Sequence, residues 1–66
     1  MMNNKFKENL LFYRKQANMT QKMLAERLCV SMNNVGHWEK GRTEPDIDKL
    51  LEICEIFAIT IEDLLK

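Results

Sequence analysis

The sequence predicts an all-α fold, and three observations support this fold class. Apolar residues recur at helical spacing throughout the 66 residues, glycine and proline are confined to three positions, and a Ser, Thr or Asp precedes four of the apolar stretches. The hydrophobic content of 45% is enough for one small core. We therefore expect a single domain over residues 1–66 with five helices, at about residues 5–17, 20–28, 31–40, 46–57 and 60–65.

The first helix is predicted from an apolar stripe. Phe6, Leu10, Tyr13 and Ala17 recur at i, i+4, i+7 and i+11, which is the pattern of a helix that rests one face on a core. Asn18 suits the left-handed conformation in which many helices end, so the helix is expected to stop just before it.

The second helix is predicted to begin at a capping residue and to end near Leu28. The hydroxyl of Thr20 can accept a free backbone N–H of the first helical turn. The inward side of this helix is expected to hold Met23, Leu24, Ala25 and Leu28.

The third helix is predicted to follow after a turn of only a few residues, so that two helices meet at a tight corner. Ser31 can cap its N-terminus, and Val35 and Trp38 share its inward side at i and i+3. Gly41 offers a left-handed end.

The last two helices are predicted from their start signals. Pro45 and Asp46 open the fourth helix, while Thr60 and Asp63 resemble a capping box at the start of a short fifth one. The β-branched run at residues 57–61 would suit a strand, but one short strand would have no partner, so helices are expected here too. The apolar residues on which these two predictions rest are Ile47, Leu50, Leu51, Ile53, Cys54, Phe57, Leu64 and Leu65.

The formal net charge is zero, but the charges are unevenly divided along the chain. Residues 1–42 carry eight basic and three acidic side chains, a net charge of +5, whereas residues 43–66 carry two basic and seven acidic ones, a net charge of −5. A basic half of this kind can form a face that attracts phosphate, and the alternative is that these charges only solvate ordinary helix surfaces.

Several classes of protein and site are not expected from this composition. Cys29 and Cys54 do not form a C-x-x-C pair and lie at apolar positions, so we predict two buried thiols rather than a disulfide, and His37 alone is a poor metal ligand. No apolar run reaches the roughly 20 residues of a membrane span, and no signal peptide is recognised, which predicts a cytoplasmic protein. No nucleophile with a base, paired carboxylates or phosphate-cradling loop can be assembled, so neither an enzyme nor a cofactor is expected.

The outward side of the third helix carries side chains that can read DNA bases. Placed at about 100° per residue, Met32, Asn33, Gly36, His37 and Lys40 face away from the core. An asparagine amide can pair with adenine, a methionine can touch the thymine methyl group, and a histidine can donate to guanine N7. The alternative is that these polar residues only face water.

The segment TQKMLAERLCVSMNNVGHWEKG, residues 20–41, closely resembles the helix-turn-helix of the phage-repressor and Cro-like proteins, also called the xenobiotic-response-element family. No single residue is specific for this family, but the combination is. The matching positions within the segment are Gln21, Ala25, Val35, Trp38, Glu39 and Gly41, and those in the flanks are Arg14, Pro45, Ile61, Leu64 and Leu65.

The resemblance implies a compact five-helix bundle like that of lambda repressor, binding a double-stranded DNA operator as a homodimer and regulating transcription as a repressor. It also implies an ion pair between Arg14 and Glu39, the alternative being two unrelated surface charges. The dimer interface is expected at helix 5 and the segment between helices 4 and 5. The residues expected at base edges are Ser31, Met32, Asn33 and His37, and those expected at the DNA backbone are Gln21, Asn34, Lys40, Arg42 and Thr43.

Three positions depart from the family pattern. Cys29 and Ala58 stand where the family has glycine, and each would cost on the order of 1 kcal/mol if its backbone keeps φ > 0. Gly36 stands on the outer face where a longer side chain is usual. It lowers helix propensity by about 1 kcal/mol relative to Ala, so it either allows a close approach to DNA or marks a weaker reader.

A second function remains open at this stage, a protein-interaction module such as an antitoxin or adaptor on the same fold. Leu11 and Phe12 are adjacent apolar residues beside the expected core face of helix 1, where relatives commonly carry polar ones. They suit either a contact patch for a protein partner or packing against the N-terminal arm.

Overall fold

Five α-helices account for most of residues 5–66, the part of the chain that the computed structural model describes. Their bounds differ from the predicted ones by no more than one residue, because the predicted ranges included capping residues that lie just outside the helical hydrogen bonds. The predicted all-α class is confirmed, and no strand occurs within residues 5–66. The helices are α1 (Phe6–Gln16), α2 (Gln21–Leu28), α3 (Met32–Glu39), α4 (Ile47–Phe57) and α5 (Ile61–Leu65).

Side-chain caps define the start of four helices. In each, an oxygen of the capping side chain accepts the backbone N–H of the residue three positions later, over 3.0 to 3.2 Å. Each such cap contributes about 1 kcal/mol. At α5 the bond is reciprocal, since the Asp63 carboxylate accepts the backbone N–H of Thr60 at 3.1 Å. The capping residues are the four predicted ones, Thr20, Ser31, Asp46 and Thr60.

The core is formed by apolar side chains from all five helices. Helix α3 packs against α1 and α2, and α5 packs against α1 and α4, so that α3 rests on a support made from two helices. Burial of these side chains is the main term that holds the helices together. The buried apolar residues are Phe6, Leu10, Leu24, Ala25, Leu28, Val35, Trp38, Leu50, Ile53, Cys54 and Leu64.

Two residues expected on the inward side, Met23 and Ala17, are exposed. Met23 lies 100° around α2 from Leu24, outside the narrow arc that Leu24, Ala25 and Leu28 bury, and 45% of its surface is accessible. Ala17 is exposed because α1 has already ended.

The prediction of two buried thiols is wrong for Cys29, which is exposed in the turn after α2. Cys54 is buried on α4, and both thiols are free. Burial raises the pKa of the Cys54 thiol, and the carboxylate of Asp63 raises it further. The Cys54 thiol is therefore held in its neutral form at neutral pH.

A residue in the left-handed conformation follows each of the helices α1 to α4. Asn18 and Gly41 have φ of 57° and 75°, as predicted for helix ends. Cys29 and Ala58 keep φ of 58° and 56° although neither is glycine. The backbone geometry that the family builds with glycine is thus retained at both departures, at a cost of roughly 1 to 2 kcal/mol each.

The turn between α2 and α3 is held by bonds from both sides. The Val30 N–H donates to the Ala25 carbonyl at 3.0 Å, which closes the end of α2. From α4, the Lys49 ammonium donates to the Leu28 carbonyl at 2.7 Å and pairs with Glu52 at 3.1 Å. The corner that orients α3 is therefore tied to α4 as well as to α2.

Phe12 is exposed over 57% of its surface, and its ring meets the ring of Tyr13 edge-on at 5.1 Å. Leu11 is half-buried. The N-terminal arm that was the alternative partner for these residues lies outside the described part of the chain. None of the helices in residues 5–66 has the length and apolar character needed to cross a membrane.

Candidate nucleic-acid interface

Helix α3 has one side in the core and one side toward solvent. Val35 is fully buried and Trp38 is 5% exposed, which fixes the rotation of the helix about its axis. On the other side, Met32 and Asn33 are exposed and His37 is half-buried. The helical spacing seen in the sequence thus separates the anchoring residues from the polar ones.

The outward residues of α3 surround one open depression together with residues from α2 and from the segment after α3. Its volume is about 150 Å³. It contains three of the four residues expected at base edges and three of the five expected at the DNA backbone. The lining residues are Gln21, Met32, Asn33, Gly36, His37, Lys40 and Arg42.

The other three expected contact residues lie outside this depression. The Ser31 hydroxyl oxygen caps α3 by accepting the Asn34 N–H at 3.2 Å, which leaves its O–H free to donate. Asn34 and Thr43 are exposed. They remain accessible to a ligand that extends beyond the depression.

A buried ion pair joins α1 to the last turn of α3. Arg14 donates through Nε to Glu39 Oε2 at 2.6 Å and through Nη2 to Glu39 Oε1 at 3.2 Å. Its third donor, Nη1, reaches the Met19 carbonyl at 2.8 Å. Arg14 is only 8% exposed, so these are not two unrelated surface charges. The guanidinium fork fixes the end of α3 relative to α1.

Gln21 belongs to the same network, which sequence reasoning missed. Its Nε2 donates to Glu39 Oε1 at 2.9 Å, across 18 residues of chain. Nothing in the local pattern could reveal this bond, because it depends on how α2 and α3 cross. The side-chain amide of Gln21 is therefore held at one place on the edge of the depression.

Gly36 lies directly beneath this amide. A methyl group at Gly36 would lie 3.8 Å from Gln21 Oε1 and 3.9 Å from Nε2, which is ordinary contact. The space left by the absent side chain is therefore bordered by a fixed hydrogen-bonding group rather than by open solvent alone. The Gln21 amide donates one of its N–H groups to Glu39, and Gln21 Oε1 is left free to accept a hydrogen bond.

The model of the helix-turn-helix family matches residues 10–64. The HTH-type transcriptional activator BcrR of Enterococcus faecalis is 40% identical over 60 residues, which are 91% of this chain and 29% of the activator. The cryptic phage CTXphi transcriptional repressor RstR of Vibrio cholerae is 32% identical over 60 residues, 91% of this chain and 54% of the repressor. This chain thus spans less than two thirds of either relative.

Solved structures have the same fold. A transcriptional regulator from Listeria innocua superposes with a TM-score of 0.90 at 32% identity, covering 94% of this chain and 58% of that one. Hydroxypropylphosphonic acid epoxidase from S. wedmorenis superposes with a TM-score of 0.89 at 26% identity, covering 100% of this chain and 36% of the epoxidase. The fold therefore occurs within regulators and within an enzyme chain, and it does not by itself fix function.

The resemblance in residues 20–41 is confirmed by the family match, by relatives at 32% and 40% identity, and by the corner between α2 and α3. This chain belongs to the helix-turn-helix family.

Proposed function

We propose that residues 1–66 form one DNA-binding domain of a transcriptional regulator, which acts in the cytoplasm on a double-stranded operator and reads it in the major groove with α3. The observation that carries this proposal is the depression on α3, where base-reading side chains and cations share one surface of a helix anchored in the core. A major groove about 12 Å wide admits a helix of this kind.

The chemistry of the outward residues suits direct readout of bases. The exposed Asn33 amide can pair with N6 and N7 of adenine, Met32 can contact a thymine methyl group, and His37 can donate to guanine N7. Met32 and Asn33 stand in the first turn of α3, the part of a recognition helix that comes closest to the base edges, and His37 stands in its last turn.

The cationic and amide groups at the rim suit the phosphates on either side of the groove. Lys40 and Arg42 stand where α3 ends, and Gln21 stands at the start of α2, held by Glu39. Contacts to phosphate orient a protein on the duplex and carry most of the salt dependence of binding.

Repression is the direction of regulation that we favour. The phage repressor RstR, 32% identical over 91% of this chain, supports this direction. A bound domain can block a promoter by occupying it.

A homodimer is proposed because one copy is too small for a two-part operator. The described residues extend over 26 × 24 × 20 Å, whereas half-sites one helical turn apart are separated by about 34 to 36 Å. We propose that α5 and the segment between α4 and α5 form the interface between the two copies.

The test is a fluorescence titration of labelled genomic fragments, repeated at rising salt. We expect one or a few fragments to bind much more tightly than the rest, with the affinity of all fragments falling as salt rises. Absence of binding even at low salt would refute the DNA-binding function.

A second candidate function, a protein-interaction module, is favoured by the exposed Phe12 ring on α1. The two functions predict different effects of Phe12→Ser. If the protein is an interaction module, the variant should lose a protein partner in co-purification. If the protein is a DNA-binding regulator, the variant should bind DNA with the same affinity as the wild type.

A further inference from the structure

Lys7 on α1 lies against the end of α3, far from it in sequence. A methyl group at Gly41 would lie 3.0 Å from Lys7 Cδ and 3.6 Å from its Nζ. The alkyl chain of Lys7 thus covers the bare backbone of Gly41, and its ammonium stands at the point where the chain leaves α3.

The orientation of Lys7 follows from its place on α1. Lys7 and Arg14 are seven residues apart, about two helical turns, so both side chains leave α1 on nearly the same side. Arg14 is bonded to Glu39 in the last turn of α3. The same side of α1 therefore carries two cations: Arg14, which is buried and bonded to α3, and Lys7, which is exposed and lies beside the C-terminal end of α3.

The ammonium of Lys7 is not needed to complete the end of α3. The carbonyls of Gly36, His37 and Trp38 already accept backbone N–H groups of the three residues that follow the helix, at 2.9 to 3.1 Å. Within residues 5–66, ion pairs join Arg14 to Glu39 and Lys49 to Glu52, and neither involves Lys7. The charge is thus available to an external anion.

Lys7 extends the row of cations at the end of α3. Lys40 and Arg42 line the depression on α3, and Gly41, which Lys7 covers, lies between them in the chain. Residue 7 also lies before the segment 10–64 that matches the family. A contact made by Lys7 would therefore come from a part of the chain outside the helix-turn-helix pattern.

We propose that Lys7 binds a phosphate of the DNA backbone beside the end of α3, and so places α1 in the DNA interface. This inference rests on the proposed DNA-binding function. A phosphate contact by one lysine contributes about 0.9 to the slope of log affinity against log salt concentration. It adds no sequence preference, since every nucleotide offers the same phosphate.

The experiment compares the salt dependence of DNA binding of the wild type with that of Lys7→Gln. The probe is a labelled duplex of random sequence, titrated by fluorescence anisotropy over a range of NaCl concentrations. For Lys7→Gln we expect the slope to fall in magnitude by about 0.9, which corresponds to an affinity about eight-fold lower near 0.1 M salt. Lys7→Arg keeps the charge and should keep the slope.

Arg27→Gln is the matched control for the loss of one positive charge. Arg27 borders a groove on the other side of α2 together with Glu52 and Glu55, so its surroundings repel phosphate. The slope of log affinity against log salt concentration for Arg27→Gln should equal that of the wild type. An equal fall in both variants would show a general charge effect and would overturn the contact assigned to Lys7.

The unfolding free energy of each variant, measured in urea, separates binding from structure. If Lys7→Gln is less stable but keeps the wild-type slope, Lys7 only supports the end of α3 and the inference is wrong. If the wild type itself does not bind the duplex at low salt, the DNA-binding function fails together with this inference.

Discussion

Two residues hold strained backbone conformations at helix ends. Cys29 and Ala58 have φ of 58° and 56°, where the Cβ of an L-residue crowds the following carbonyl oxygen. Glycine would adopt the same conformation without this crowding. The strain is tolerated because each end also closes its helix with backbone bonds, such as the 3.0 Å bond from Ile59 N–H to the Cys54 carbonyl.

Ala58→Gly is expected to stabilise the protein. Removal of the Cβ at φ of 56° should raise the free energy of unfolding by about 1 kcal/mol, which in a domain of this size raises the melting temperature by roughly 4 to 8 °C. The control is Ala17→Gly, at φ of −83°, which should lower stability or leave it unchanged. The measurement is thermal unfolding followed by circular dichroism. If Ala58→Gly did not raise the melting temperature, the strain assigned to Ala58 would be contradicted.

Glu39 is the residue on which the internal polar network depends, since it accepts from both Arg14 and Gln21. Glu39→Ala leaves a guanidinium that is 8% exposed without its partner, and should lower the free energy of unfolding by roughly 3 kcal/mol. The control is Glu52→Ala, whose pair with Lys49 is partly exposed and worth less than about 1 kcal/mol. If urea denaturation showed equal losses of unfolding free energy in the two variants, the buried Arg14–Glu39 pair would contribute no more than the partly exposed Lys49–Glu52 pair.

At the scale of helices, α3 is well anchored in the core but contains a residue of low helix propensity. Val35 and Trp38 hold it in the core, whereas Gly36 between them favours the helix less than alanine would by about 1 kcal/mol. The residue is tolerated because tertiary packing, more than propensity, stabilises a helix this short. If Gly36 has a function, we expect it in DNA binding on the outward face of α3.

Gly36→Ala is expected to separate stability from binding. Its methyl group meets only the Gln21 amide, at 3.8 Å and beyond, so the gain in helix propensity should raise the free energy of unfolding by about 1 kcal/mol. The same methyl group narrows the depression on α3, so DNA affinity should fall. Urea denaturation and DNA titration measure the two effects.

Gly41→Ala provides the opposite control. At φ of 75°, with a new methyl group 3.0 Å from Lys7 Cδ, this variant should lose stability. If Gly36→Ala were more stable but bound DNA as tightly as the wild type, the gap at Gly36 would have no role in binding.

The helices could be predicted from sequence more completely than the contacts between them. The caps at Thr20, Ser31 and Asp46 are local signals, and they set the helix starts to within one residue. Cys29 is exposed because it stands in the left-handed turn after α2, whereas the bond from Gln21 to Glu39 depends on how α2 crosses α3. Local spacing carries no information on that crossing, which is why the bond was missed; Cys29 was predicted wrongly because the apolar pattern was extended one residue past the end of α2.

For the molecule as a whole, the division of charge has a structural basis. The cations Lys40 and Arg42 border the depression on α3, and Lys7 stands beside them, whereas acidic residues predominate in the half of the chain that contains α4 and α5. Electrostatic attraction would therefore orient the protein with α3 toward DNA and its acidic part away from it. A net charge of zero is compatible with this steering, because the field near the duplex depends on the facing side.

The proposal that α3 reads bases can be tested by selection from randomised duplexes with the wild type and with Asn33→Ala. We expect the wild type to enrich a two-part motif with half-sites about one helical turn apart. Asn33→Ala should enrich the same motif with the preference lost at one base pair in each half, a loss of about 1 to 3 kcal/mol on the wild-type site. Failure of the wild type to enrich any motif, or identical motifs from the two proteins, would contradict base reading by α3.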